Sequence, residues 1–95
     1  MLRKGDVVAI TVTREWADSA GAVNVLHHFK GDDYTEAVRT FAASLISITD
    51  SEGLWVEGPK KPGRREKIRL LIPWAYIITI RSGSINEADR KKIGF

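Results

Sequence analysis

Lys67-Ile68-Arg69-Leu70-Leu71-Ile72-Pro73-Trp74-Ala75-Tyr76-Ile77-Ile78-Thr79-Ile80-Arg81 is the stretch that decides the fold. Apolar residues fill both halves and isoleucine leads among them, a composition suited to a pleated, partly buried surface. In the first half Ile68, Leu70 and Ile72 recur at the two-residue period of a strand, all on one face. Pro73 then fixes φ and lacks an N–H, so the chain turns tightly within Ile72-Pro73-Trp74-Ala75. Residues 76–81 read as the last strand.

Working upstream, Leu54-Trp55-Val56-Glu57 reads as a return strand behind the turn Asp50-Ser51-Glu52-Gly53, whose glycine is free to take a positive φ. Residues 41–49 supply the partner strand. Tyr34, Val38, Phe41 and Leu45 fall at helical spacing, which leaves room for a helical turn ahead of it. Val7-Val8-Ala9-Ile10-Thr11-Val12-Thr13 is a first strand, rich in β-branched side chains. Between residues 14 and 31 the sequence predicts a long excursion. Asp18-Ser19-Ala20-Gly21 breaks its pattern, and Val23-Asn24-Val25-Leu26 alternates like an irregular extra strand. Gly58-Pro59-Lys60-Lys61-Pro62-Gly63-Arg64-Arg65 has too many prolines and glycines for anything but a loop. Ser84-Ile85-Asn86-Glu87 has the spacing of a capping box, which predicts a short tail helix through Lys92 or a frayed end.

The expected architecture is therefore all-β: a five-stranded SH3-like barrel with a long insertion after the first strand and a short C-terminal tail. Ninety-five residues, 43% of them hydrophobic and 28% charged, fit one globular domain over residues 1–95. The absence of cysteine removes disulfides, thiolate nucleophiles and cysteine-based zinc sites. Met1-Leu2-Arg3-Lys4-Gly5-Asp6 becomes charged at once and carries no apolar signal core, and no apolar run nears bilayer length. A cytoplasmic protein with no membrane partner is expected.

The C-terminal half resembles the Sm-like (LSm, Hfq-type) proteins. Leu70-Leu71-Ile72-Pro73-Trp74-Ala75-Tyr76-Ile77-Ile78-Thr79-Ile80 matches the apolar pattern and tight turn of that family's second motif, with Pro73-Trp74 standing where the family has Arg-Gly. Ser44-Leu45-Ile46-Ser47-Ile48-Thr49-Asp50 followed by Leu54-Trp55-Val56-Glu57 resembles its first motif. There Asp50-Ser51-Glu52-Gly53 replaces the family's base-binding Asp-x-hydrophobic-Asn loop. The resemblance covers residues 5–13 and 41–81. It implies a cyclic homo-oligomer joined by strand addition, with Ile68, Leu70, Ile72, Trp74, Tyr76 and Ile78 at the contact.

Charge is unevenly spread. Residues 1–57 carry 5 basic against 9 acidic side chains, and residues 58–95 carry 10 against 3. Lys60, Lys61, Arg64 and Arg65, extended by Arg69 and Arg81, are the candidate contacts to single-stranded RNA; a merely solvated loop is the competing reading. Trp16, Trp55 and Trp74 could stack on bases or pack at turns and contacts. His27-His28 cannot easily share a metal if they lie in a strand, where neighbours point to opposite faces. Asp32-Asp33 suits a local turn or a divalent cation. No phosphate loop, nucleophile elbow or His-Glu-x-x-His motif is present, so neither catalysis nor a cofactor is expected. The expected function is a non-catalytic, oligomeric binding protein for RNA, or alternatively an adaptor barrel that assembles proteins without nucleic acid.

Overall fold

The structure, a computed structural model, describes residues 2–29, 35–82 and 86–95. Strand β1 (Val7–Thr13) passes directly into helix α1 (Arg14–Ala20), because the Thr13 Oγ1 accepts from the Trp16 N–H and caps the first turn. Gly21, in the left-handed region at φ +65°, ends α1 and starts α2 (Ala22–Val25). The chain continues through β2 (His27–His28), β3 (Val38–Thr49), β4 (Gly53–Glu57) and β5 (Arg69–Pro73). A single 3-10 turn, Trp74–Tyr76, then leads into β6 (Ile77–Ser82), and α3 (Glu87–Ile93) follows.

The fold is mostly β, with one antiparallel sheet of six strands in the order β5-β4-β3-β1-β6 and β2 paired to β3 off that path. β3 is long because it serves two sets of neighbours. Its first half pairs with β1 and its second with β4, with a register slip between Leu45 and Ser47. Such a slip bends a strand and sharpens its twist.

The short turn forces the sheet to curl. β5 and β6 stand at opposite ends of the strand order, four spacings or about 19 Å apart in a flat sheet. Four Cα steps, from Pro73 to Ile77, reach at most about 14 Å, so the two ends must approach each other. The radius of gyration, 12.3 Å, agrees with a closely packed chain of this length.

Inside the curl lie Val8, Ile10, Val12, Phe41, Leu45, Leu54, Val56 and Ile72, all essentially without solvent contact. Ala17, Ala22 and Leu26 of the excursion join the same core. Val23-Asn24-Val25-Leu26 is consequently no strand: its first three residues are α2 and Leu26 follows it in a bend. The apparent alternation covered only four residues, and the burial of Ala22 and Leu26 in the main core outweighs so weak a local preference.

Three more expectations change. The sheet has six strands rather than five, since β2 occupies the edge that β4 leaves free beside the first half of β3. β3 starts at Val38, so the helical spacing of Val38, Phe41 and Leu45 is not used, and Tyr34 lies outside the described residues. The tail helix begins at Glu87, capped by the Asn86 side chain, which accepts from the Asp89 N–H at 2.8 Å; Ser84 lies outside the described residues. No helix among the described residues is long and apolar enough to cross a membrane.

Candidate functional site

The loop between β4 and β5 is folded back on the excursion, and its cations hold it there. The Lys61 ammonium donates to the carbonyls of Val23 (2.9 Å) and Leu26 (3.3 Å), and the Arg64 guanidinium donates to that of Asn24 (2.9 Å). These carbonyls lie at the C-terminal end of α2, where unsatisfied acceptors and the helix dipole both favour cations. Gly58 permits the approach: a Cβ there would stand 1.8 Å from the Val25 carbonyl oxygen. Burial, then the nearby Arg64 charge, holds the Lys61 ammonium below its ordinary value.

From this loop a chain of contacts gathers three other segments. The Lys60 N–H donates to the Gly94 carbonyl beyond α3, Arg90 of α3 donates to the Gly5 carbonyl at 3.3 Å, and the Gly5 N–H donates to Leu45 in β3. Arg69, at the start of β5, lies 3.3 Å from Glu57 across the β4–β5 ladder. The result is one cationic pole. Residues 3–6, 57–69 and 87–92 carry eleven basic side chains against five carboxylates.

Five of the six expected RNA contacts, Lys60, Lys61, Arg64, Arg65 and Arg69, share this pole. Lys61 and Arg64 also cap α2, and Arg69 pairs with Glu57, which leaves Lys60 and Arg65 as its freest members of that set. Arg81 stands apart at the opposite edge of the sheet, in a shallow cleft of about 310 Å³ with Thr11, Thr35, Val38, Ile78 and Thr79. Sequence reading missed Arg3, Lys4, Lys67, Arg90, Lys91 and Lys92. No local signal reports that Gly5 and Arg90 will touch.

The expected contact residues divide by face. Ile72 is fully buried opposite Leu54, and Leu70 packs half-buried opposite Val56, so their side chains belong to the core and offer little to a neighbour. The same period-2 pattern that identified the strand points them inward. Ile68, expected on the same face as Leu70 and Ile72, precedes β5 and is exposed, as are Trp74, Tyr76 and Ile78.

At the other end of β4 and β5 the surface is aromatic. Tyr76 stacks on Trp16 of α1 with ring centroids 6.2 Å apart and planes 19° from parallel. The Trp74 indole N–H donates to the Thr49 carbonyl at 2.7 Å, and its backbone N–H donates to Glu52. The turn and the β3–β4 hairpin tip are thereby tied together. Trp55 faces outward from β4 beside Leu71. No family model, curated protein or solved structure matches the chain.

His27 and His28 sit half-buried in β2, His27 edge-on to Phe29 and His28 tilted against Phe41, each with centroids 5.2 Å apart. Among the described residues no group of three or more His, Asp or Glu converges as a metal site; Asp32 and Asp33 lie outside them. Burial foremost, then Lys61 and His28, keeps His27 below its ordinary 6.5. A histidine disfavoured as imidazolium binds more protons when unfolded, so stability falls as pH drops through 6.5 toward the lowered folded value and levels off below it. The His27→Gln variant is expected to flatten the denaturant-midpoint profile on the acid side of about pH 7. A variant profile parallel to that of the wild type would place the pH dependence elsewhere.

Proposed function

We propose that this chain is a non-catalytic binding module, an SH3-like barrel of Sm-like build, that assembles with copies of itself by pairing the β5 edge of one copy with the β6 edge of the next. One observation carries the reading. β5 is laddered to β4, and β6 to β1, while among the described residues no ladder joins β5 to β6. Two sheet edges thus stand close together with N–H and C=O groups to satisfy, and strand addition satisfies them. Ile78, 55% exposed on β6, gives that edge an apolar side chain to cover. The wild-type protein is expected to scatter light as a closed oligomer. Ile78→Lys, which places a charge on the edge without touching the core, is expected to give monomers. A monomeric wild type overturns the proposal.

A second reading adds single-stranded RNA, or another polyanion, at the cationic pole. It is favoured by the convergence of segments remote in sequence on a single basic surface. If about four phosphates are engaged, raising salt from 50 to 200 mM weakens binding about 50-fold. Fluorescence anisotropy with a short single strand measures this, and a salt-insensitive affinity would count against it.

A further inference from the structure

We infer that the aromatic corner, built by α1, the β3–β4 tip and the Trp74–Tyr76 turn, is a docking surface for the cationic pole of a second copy of this chain. The corner is apolar and acidic together. Ile48, Trp74 and Tyr76 are 46%, 37% and 41% exposed there. Around them, residues 13–18 and 50–52 carry four carboxylates against one cation, Arg14, which is already paired to Asp18 at 3.4 Å. Asp50, Glu52 and Glu15 are all exposed.

The pole has the complementary make-up. Its surplus of cations comes with two exposed aliphatic residues, Val23 at 54% on α2, whose carbonyl accepts from Lys61, and Ile68 at 40% before β5, whose carbonyl accepts from the Gly58 N–H. Val23 lies at the α2 terminus that Lys61 and Arg64 clasp. Each surface therefore offers an apolar centre with a charged rim, the pattern of a specific interface, and the rims have opposite sign. Aromatic faces beside carboxylates also attract lysine and arginine heads directly.

Asp50, Glu52 and Trp74 stand at the Gly53 end of β4 and Lys60 and Arg65 beyond its Glu57 end, about 13 Å or more apart, so these two sets cannot meet within one molecule. Asp18 and Val23, by contrast, line one cleft with Arg39. Contact between copies is heterologous, pole to corner, and repeats head to tail. It is distinct from side-by-side pairing of β5 and β6, because both charged rims lie at strand ends. A polyanion and a second copy would compete for the pole, so the association is read in protein freed of nucleic acid.

The test uses two charge-reversed variants at exposed positions. The corner variant carries Asp50→Lys and Glu52→Lys; the pole variant carries Lys60→Glu and Arg65→Glu. Thermal melting matching the wild type establishes that each is folded. In sedimentation velocity at about 50 mM salt, the wild type is expected to form species larger than its assembly at about 300 mM salt, where screening shortens to a few ångströms. Each variant alone is expected to lose that added association by about tenfold or more, and an equimolar mixture to regain it, since reversed corner then faces reversed pole. The Ile78→Lys variant retains the salt-sensitive association, which separates this contact from edge pairing. Variants that associate like the wild type, or a mixture that stays as dissociated as its components, overturn the inference.

Discussion

Replacing Gly53 by alanine is expected to cost about 3 kcal/mol or more of folding stability, from overpacking together with backbone strain. Gly53 opens β4 at φ +147°, where an L side chain is strained whatever the space around it. Space is lacking too: a Cβ would stand 2.0 Å from the Ile72 carbonyl oxygen and 2.9 Å from the Pro73 Cα, both backbone atoms that cannot swing aside. The same residue exchanges hydrogen bonds with Thr49, whose Oγ1 accepts from the Gly53 N–H and donates to its carbonyl. Relief of the clash must pull β5 from β4 at the place where the chain turns toward β6. Denaturant unfolding of Gly53→Ala beside the wild type measures the loss. A drop below about 1 kcal/mol would mean that this close approach is not needed for the sheet to curl.

Leu26→Ala is expected to cost about 2 to 5 kcal/mol, the range for emptying a buried leucine site. Against total stabilities of about 5 to 15 kcal/mol for small domains, that is a large share. Leu26 is fully buried within the main core, its N–H donates to Ala22 and its carbonyl accepts from Lys61. The side chain thus links the excursion to the sheet, and the main chain links it to the basic loop. Unfolding should stay a single cooperative transition at a lower midpoint. A loss of a few tenths of a kcal/mol, or a separate early transition, would mark residues 14–29 as an appendage to an otherwise independent sheet.

The strands were legible wherever their signal is local. β1, β4 and β5 match the sequence reading within two residues at either end, because alternation, β-branching and a glycine or proline at each turn act over a few positions. The Pro73-Trp74-Ala75 turn was legible for the same reason. What escaped depends on neighbours distant in the chain. α2 exists because the core takes in Ala22 and Leu26, and β2 exists because β4 covers only half of β3. The cationic pole was half legible. Lys60, Lys61, Arg64 and Arg65 stand out as a run, yet Arg3 and Lys4 join them only through the contact of Arg90 with Gly5, 85 positions apart. The division of labour within the run was invisible as well, since nothing in Lys60-Lys61 says that the second lysine will close a helix end.

The place of β1 in the sheet has a consequence for synthesis. β1 is made first, and its partner on one side, β3, is complete by Thr49; on its other side lies β6, which begins only at Ile77. At about 5 to 20 residues per second, the last 64 or so residues before that point take roughly 3 to 13 seconds to polymerise. Throughout that interval a nascent chain carries Val8, Ile10 and Val12 along an edge with no strand to close it, so the growing polypeptide is most exposed to mispairing with other chains before its final strand leaves the ribosome.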